Sequence, residues 1–354
     1  MFGIDKRNYG TLDIARAHDF EKLKGHNNVS FNTRGDMMKL YDQNTGEVYE
    51  FESISIKKDE KFNHLKIGLK KEKGVKREFA RLEVFIDDDK GTANLKPYNK
   101  EQTIKQLEEL LKYIKDKYGL NLGCSNAKYT YLEINKTIEL DEDVELYRNV
   151  LEYFTYIAPV RYTRKQINKS GANLLNLIAL ENNSVKIKLY NKTKQLKEYK
   201  KVNVEGYFLR IEICLKDSRK IKNAFGTTEI HKITDEMMWE YFFNMVKKDL
   251  FDRLDKQLEK AKPKLKQELR LQKKEDSKKY PKIFLLSACS LNYEKTEIPL
   301  ILDVEQVFEV LKPTVARWDR TYKTLKKEID KRPHKKNNLA KYDEIKNKTL
   351  LQNY

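Results

Sequence analysis

Alternation of apolar and polar residues at period two runs through the middle of this chain. Val185, Ile187 and Leu189 fall on one side of a strand, and Lys186, Lys188 and Tyr190 on the other. Phe208–Leu215 repeats the pattern, with Leu209, Ile211, Ile213 and Leu215 inward and Arg210 and Glu212 outward. Lys128–Leu140 sets Thr130, Leu132 and Ile134 against Tyr131, Glu133 and Asn135, and Arg81–Asp87 sets Leu82, Val84 and Ile86 against Glu83, Phe85 and Asp87. Further strands are expected at Met38–Tyr41 and Val48–Ile56 around an Asn44-Thr45-Gly46 turn, and at Phe62–Leu69. Leu174–Ala179 should pair with Val185–Tyr190 across a tight turn at Glu181–Ser184. Residues 1–28 carry no structural signal of their own.

Helical periodicity alternates with these strands. Asn99 and Gln102 form a capping box ahead of the stripe Ile104, Leu107, Leu111, Ile114 and Tyr118, and Gly119 is a C-terminal stop. Asp141 or Asp143 caps a second helix, with Val144, Tyr147, Leu151 and Phe154 inward and Pro159 ending it. Thr234 caps a third, with Phe243, Val246, Leu250, Leu254 and Leu258 as its stripe. Further on, Val304–Leu311 and a helix carrying Val315, Trp318, Tyr322, Leu325 and Ile329 form either a helix-turn-helix-like unit or an ordinary helical hairpin. Arg332–Lys348 reads as a frayed basic tail.

The order of elements predicts an α+β fold: a central antiparallel sheet with helices on one face, the other face open for function, and a helical C-terminal region. The chain divides into strands and loops of uncertain role at 1–75, a core at 76–227, a long helix and basic linker at 228–279, and a helical region and tail at 280–354.

Charge narrows the function. Lys and Arg number 72 against 54 Asp and Glu, a net charge of +18, which suits nucleic acid or an anionic membrane surface. A lysine-rich solvated surface is the bland alternative. Cys124, Cys214 and Cys289 have no zinc spacing, and Cys214, on the Glu212 side of its strand, reads as a packing residue. Met1–Arg16 lacks a signal-peptide pattern and no apolar run reaches bilayer length, so a cytoplasmic protein without a membrane partner is expected. Glycine-rich phosphate loops, the GxSxG elbow and paired histidines are all missing from the sequence.

The strands bring Glu133, Tyr190 and Glu212, and by the same alternation Glu83, to the face opposite their apolar residues. Phosphodiester transfer by a tyrosine needs a nucleophile, oxygen ligands for Mg²⁺ or Mn²⁺, and cations for the DNA backbone. Asn135 offers a further carbonyl oxygen, and Lys188 and Lys192 flank Tyr190. Each residue also has an ordinary reading. A strand-end tyrosine packs, a strand glutamate pairs across to a lysine, and Glu83 pairs with Arg81 or Lys66.

Ile187-Lys188-Leu189-Tyr190-Asn191-Lys192, followed by Leu209-Arg210-Ile211-Glu212-Ile213, resembles the rolling-circle replication initiators of the staphylococcal Rep_trans group and the phage and plasmid gene II/X-type replication proteins. Tyr131–Lys136 resembles their preceding acidic strand. The resemblance covers about residues 80–216 and, more weakly, 298–330. It implies an HUH-nuclease-like sheet without the histidine motif, whose place Glu133-Ile134-Asn135 takes. It further implies Tyr190 as the nucleophile that nicks one strand at a replication origin, leaving a 5′-phosphotyrosine and a 3′-OH primer. Glu133 and Glu212 would hold Mg²⁺ or Mn²⁺, with Glu83 added from its strand alternation alone, and Tyr199 is either a second nucleophile or, as Lys197 and Lys200 favour, a residue of a solvated helix. Lys188, Lys192 and Arg210, with Arg317 and Arg320 on the C-terminal helix, would meet DNA. Origin duplex and single strand, a host helicase and polymerase, and a second copy of the chain are the partners so implied. A non-catalytic DNA-binding replication or regulatory protein and a mobilisation relaxase are the alternatives.

Overall fold

The computed structural model describes residues 2–72, 75–84, 98–167, 178–257, 259 and 338–351. Ten strands form one antiparallel sheet. Across it lie, in order, Arg164–Ile167, Ile178–Glu181, Val185–Asn191, Tyr207–Leu215, Lys128–Leu140, Phe2–Gly10, Val75–Val84, Phe62–Glu72, Ser53–Lys57 and Val29–Asn32. The expected α+β class is therefore present, with a sheet much wider than the central strands alone suggest. A small second sheet of Ala17–His18, Met38–Asp42 and Val48–Phe51 flanks it.

One face of the large sheet is apolar. Ile4, Leu132, Ile134, Ile187, Leu189, Ile211 and Ile213 are all fully buried there. Helices cover this face. Asp235–Val246 lays Trp239 and Phe242 against Phe2, at 5.0 and 5.4 Å between ring centroids. Ser218–Phe225 and Asn338–Leu350 both lie against Lys128–Leu140. Lys100–Tyr118 begins with the expected Asn99/Gln102 capping box and ends at Gly119 in the left-handed conformation (φ 68°), where a side chain would collide with the backbone of Asp19. Its Leu107, Leu111, Ile114 and Tyr118 are buried, as the stripe predicts.

Asp59 staples this helix to the sheet. Its carboxylate accepts hydrogen bonds from Lys117 Nζ (2.8 Å), Tyr118 Oη (2.6 Å) and the Lys61 backbone N–H (2.8 Å). Burial works against the charge, but Lys117 and Tyr118 outweigh it and hold the Asp59 pKa below the ordinary aspartate value. Asp59→Ala should cost about 2 kcal/mol at neutral pH, measured by urea unfolding. A depressed carboxylate stabilises fully above its unfolded pKa near 4 and loses that contribution as pH falls below it. The gap between wild type and variant should accordingly close in acid.

Several expectations are corrected. Phe2–Gly10, in the stretch without a sequence signal, is a central strand that joins the two halves of the sheet. The division after residue 75 falls at the start of Val75–Val84, which pairs with Phe62–Glu72 along its length. The helix capped by Thr234 buries Met238, Trp239, Phe242 and Val246, with Phe243 only partly buried, and passes through a π-helical turn at Lys247–Phe251. Val246, Leu250 and Leu254 are buried, as the stripe predicts. The frayed tail is instead the helix Asn338–Leu350, with Tyr342 and Ile345 buried. Arg317, Arg320 and the helical pair around them lie outside the described residues, as do Ile86, Leu174, Leu258 and Cys289. Among the described residues, no helix is long and apolar enough to cross a membrane.

Candidate active site

Strand register assembles the polar face. Glu212 stands opposite Asn135 on one neighbouring strand and Lys188 on the other. One step along, Cys214 stands opposite Glu133 and Lys186; in the other direction, Arg210 stands opposite Thr137 and Tyr190. Alternation at period two thus sets Tyr190, Lys188, Glu212, Cys214, Glu133 and Asn135 side by side on three adjacent strands.

The side chains interlock. Tyr190 donates its hydroxyl hydrogen to Glu212 Oε1, and Tyr131 donates to Glu133 Oε1. Lys188 Nζ bridges the two acids, 3.1 Å from Glu133 Oε1 and 2.5 Å from Glu212 Oε2. Cys214 Sγ lies 3.2 Å from Glu133 Oε1. One ligand atom from each of Glu133, Glu212 and Cys214 falls within 4.8 Å of the others. Among the described residues, both side-chain polar atoms of Asn135 lack a hydrogen-bond partner although the residue has no exposed surface.

Burial sets the electrostatics. It opposes the Glu212 charge, but Lys188 and then Arg210 outweigh it and hold this carboxylate well below the usual glutamate range. Lys188 is the reciprocal case: burial opposes its charge, and Glu212 and Glu133 keep it protonated above the ordinary lysine value. The Cys214 thiol is pushed up by burial and by Glu133, so it is protonated at neutral pH.

The expected open face is closed. Tyr190 is 5% exposed, and Glu133, Glu212 and Cys214 are likewise buried. Arg210 has no exposed surface, and its Nε donates to Thr137 Oγ1 at 2.9 Å. Lys192 is also buried, with Nζ 2.8 Å from Gln195 Oε1. As the chain is arranged here, neither of these cations faces solvent where a DNA backbone would lie. Glu83 is separate from the cluster: it sits on Val75–Val84, opposite Asn8, with the strand Phe2–Gly10 between it and Tyr131. That is roughly 10 Å at ordinary strand spacing, too far for a shared metal. Tyr199 lies in the π-helical turn Leu196–Lys200, beyond the sheet.

Two members of the site were underweighted in the sequence. Cys214 shares the Glu212 face by the same alternation that identifies Glu212, yet a lone thiol reads as packing. Tyr131 shares the Glu133 face and opens the acidic-strand stretch, yet nothing in that stretch assigns it a role. No family model matches the chain, and no curated protein matches it.

Proposed function

We propose that this protein is a metal-dependent DNA nicking and joining enzyme with Tyr190 as its nucleophile, acting as a replication initiator of the rolling-circle kind. The observation that carries the reading is the Tyr190 hydroxyl held on Glu212 beside a second carboxylate and a lysine. The donor set fits a divalent cation: Glu133 and Glu212 supply hard oxygens, Asn135 Oδ1 is an oxygen without a partner among the described residues, and Cys214 adds a softer donor. Such a mixture suits Mn²⁺ better than Mg²⁺. When bound, the metal supplies charge that polarises the phosphate and favours the phenolate.

In the proposed step, Tyr190 Oη forms a bond to phosphorus and the bond to the 3′-oxygen breaks. The tyrosine proton passes to water, and the leaving oxygen takes a proton from water. Glu212 is too weak a base to drive this transfer alone, since its neighbours hold its pKa down. Its part is to orient the hydroxyl. Lys188, two residues from Tyr190 on the same face, would meet the phosphate. The reading requires the buried face to open to a single strand, and a DNA partner remains what the +18 charge favours.

The burial of Tyr190 and Arg210 favours one second reading, a non-catalytic DNA-binding protein in which the network is structural. Tyr190→Phe separates the two. Purified protein is mixed with supercoiled DNA from its own genetic neighbourhood, with Mn²⁺ or with chelator. The enzyme reading expects metal-dependent relaxed circles and protein-linked DNA from wild type, and a loss of at least about a thousandfold in Tyr190→Phe with DNA binding retained. Equal behaviour of the two proteins would return Tyr190 to a packing role.

A further inference from the structure

We propose that Lys188 and a divalent cation compete for one position between Glu133 and Glu212, so that metal binding drives the lysine off its carboxylates. This rests on the metal-site reading above and adds a moving part to it.

The ammonium group already occupies the cation's place. Lys188 Nζ lies 3.1 Å from Glu133 Oε1 and 2.5 Å from Glu212 Oε2. A divalent ion ligated by the same two carboxylates, at about 2.0–2.4 Å from each oxygen, falls in the same gap. Two cations there would sit within van der Waals contact in a poorly screened interior, and both cannot stay. The site nevertheless holds more donors than a lysine uses. The amide of Asn135, fully buried and opposite Glu212 in register, has neither its oxygen nor its nitrogen paired among the described residues. Cys214 Sγ, 3.2 Å from Glu133 Oε1, adds a further donor to the set. A lysine satisfies the charge of this cluster; a metal would satisfy its coordination as well.

The lysine is also the member able to leave. Its side chain is 18% exposed, against 7% for Glu133 and 3% for Glu212. Its four-carbon stem can swing while the backbone of Val185–Asn191 keeps its register. Tyr190 stands two residues along the same face, so the displaced ammonium stays within reach of a phosphate presented to that tyrosine. One side chain thus has two stations: on the acids before metal enters, and over the substrate afterwards.

The test is Mn²⁺ binding to the full chain, followed by the loss of the free-ion paramagnetic resonance signal, for wild type, Lys188→Met and Lys188→Gln. Removing the competitor should tighten Mn²⁺ binding at least about tenfold in both variants. Unchanged or weaker binding would overturn the proposal. A second measurement needs no variant: acylation of Lys188 in wild type by an amine-reactive ester, read by peptide mass spectrometry, should rise several-fold on adding Mn²⁺. No change, or protection, would overturn it. If wild type nicks DNA with Mn²⁺ while both Lys188 variants bind no more tightly, only the competition fails. If none of the three proteins binds Mn²⁺, the metal-dependent reading fails with it.

Discussion

Glu212→Leu should destabilise the fold by about 3–5 kcal/mol, read by urea unfolding at neutral pH. The carboxylate accepts from Tyr190 and pairs with Lys188, and the Arg210 charge lies beside it; Glu212, Tyr190 and Arg210 are buried and the Lys188 side chain is 18% exposed. Deleting the anion leaves a buried tyrosine hydroxyl without its acceptor and two cations short of a counter-charge. Adding Lys188→Met to Glu212→Leu should recover only part of the loss, because buried Glu133 is also paired with Lys188 and loses that cation in turn. This cycle measures more than the pair. A cost below about 1 kcal/mol is what a solvated pair would give, and it would mean that the polar face stands open in solution.

Tyr342→Ala should cost about 3–5 kcal/mol, the range for emptying an aromatic core position. The ring is 1% exposed and packs 6.0 Å from that of Phe251, while its hydroxyl reaches Asp255 Oδ1 at 2.7 Å and the Phe251 carbonyl at 3.2 Å. Phe251 in turn meets Phe154 edge-on at 5.7 Å, so one ring ties the helix Asn338–Leu350 to two others. Tyr342→Phe should cost only the hydroxyl's share, about 1 kcal/mol. Comparable losses in the two variants would show that the helix is held by its polar contacts instead.

The alternating strands and the capped helices were readable because each carries its own local rule. Leu209, Ile211 and Ile213 announce one buried face, and the same count places Glu212 and Cys214 on the other. Asn99, Gln102 and Gly119 mark a helix from end to end without reference to what it packs on. Phe2–Gly10 was invisible for the opposite reason. Register shifts on either side of Arg7 break its alternation, and it needs partners about 70 to 130 residues away to be a strand at all. The tail misled through composition: Tyr342 and Ile345 are few among lysines and asparagines, but two buried apolar residues one turn apart, with Lys341 and Thr349 also buried, suffice to dock it. The site was legible as a face and not as a cluster. Period two shows which way Glu83 points, yet only the strand order shows that Phe2–Gly10 stands between it and Glu133.

That strand order bears on how the chain reaches its structure. Five strands lie on one side of Phe2–Gly10 and four on the other. Within the smaller group, Ser53–Lys57, Phe62–Glu72 and Val75–Val84 join their neighbours through short turns, so this half can assemble from nearby sequence. The halves meet along Phe2↔Lys136 to Gly10↔Lys128 on one side, and through only Asn8↔Glu83 and Tyr9↔Leu82 on the other. Closing that seam spans a long loop, whose entropy is spent before its pairing is gained. The slow event in folding should therefore be this closure, and until it happens each half-sheet shows a bare edge to any other chain nearby.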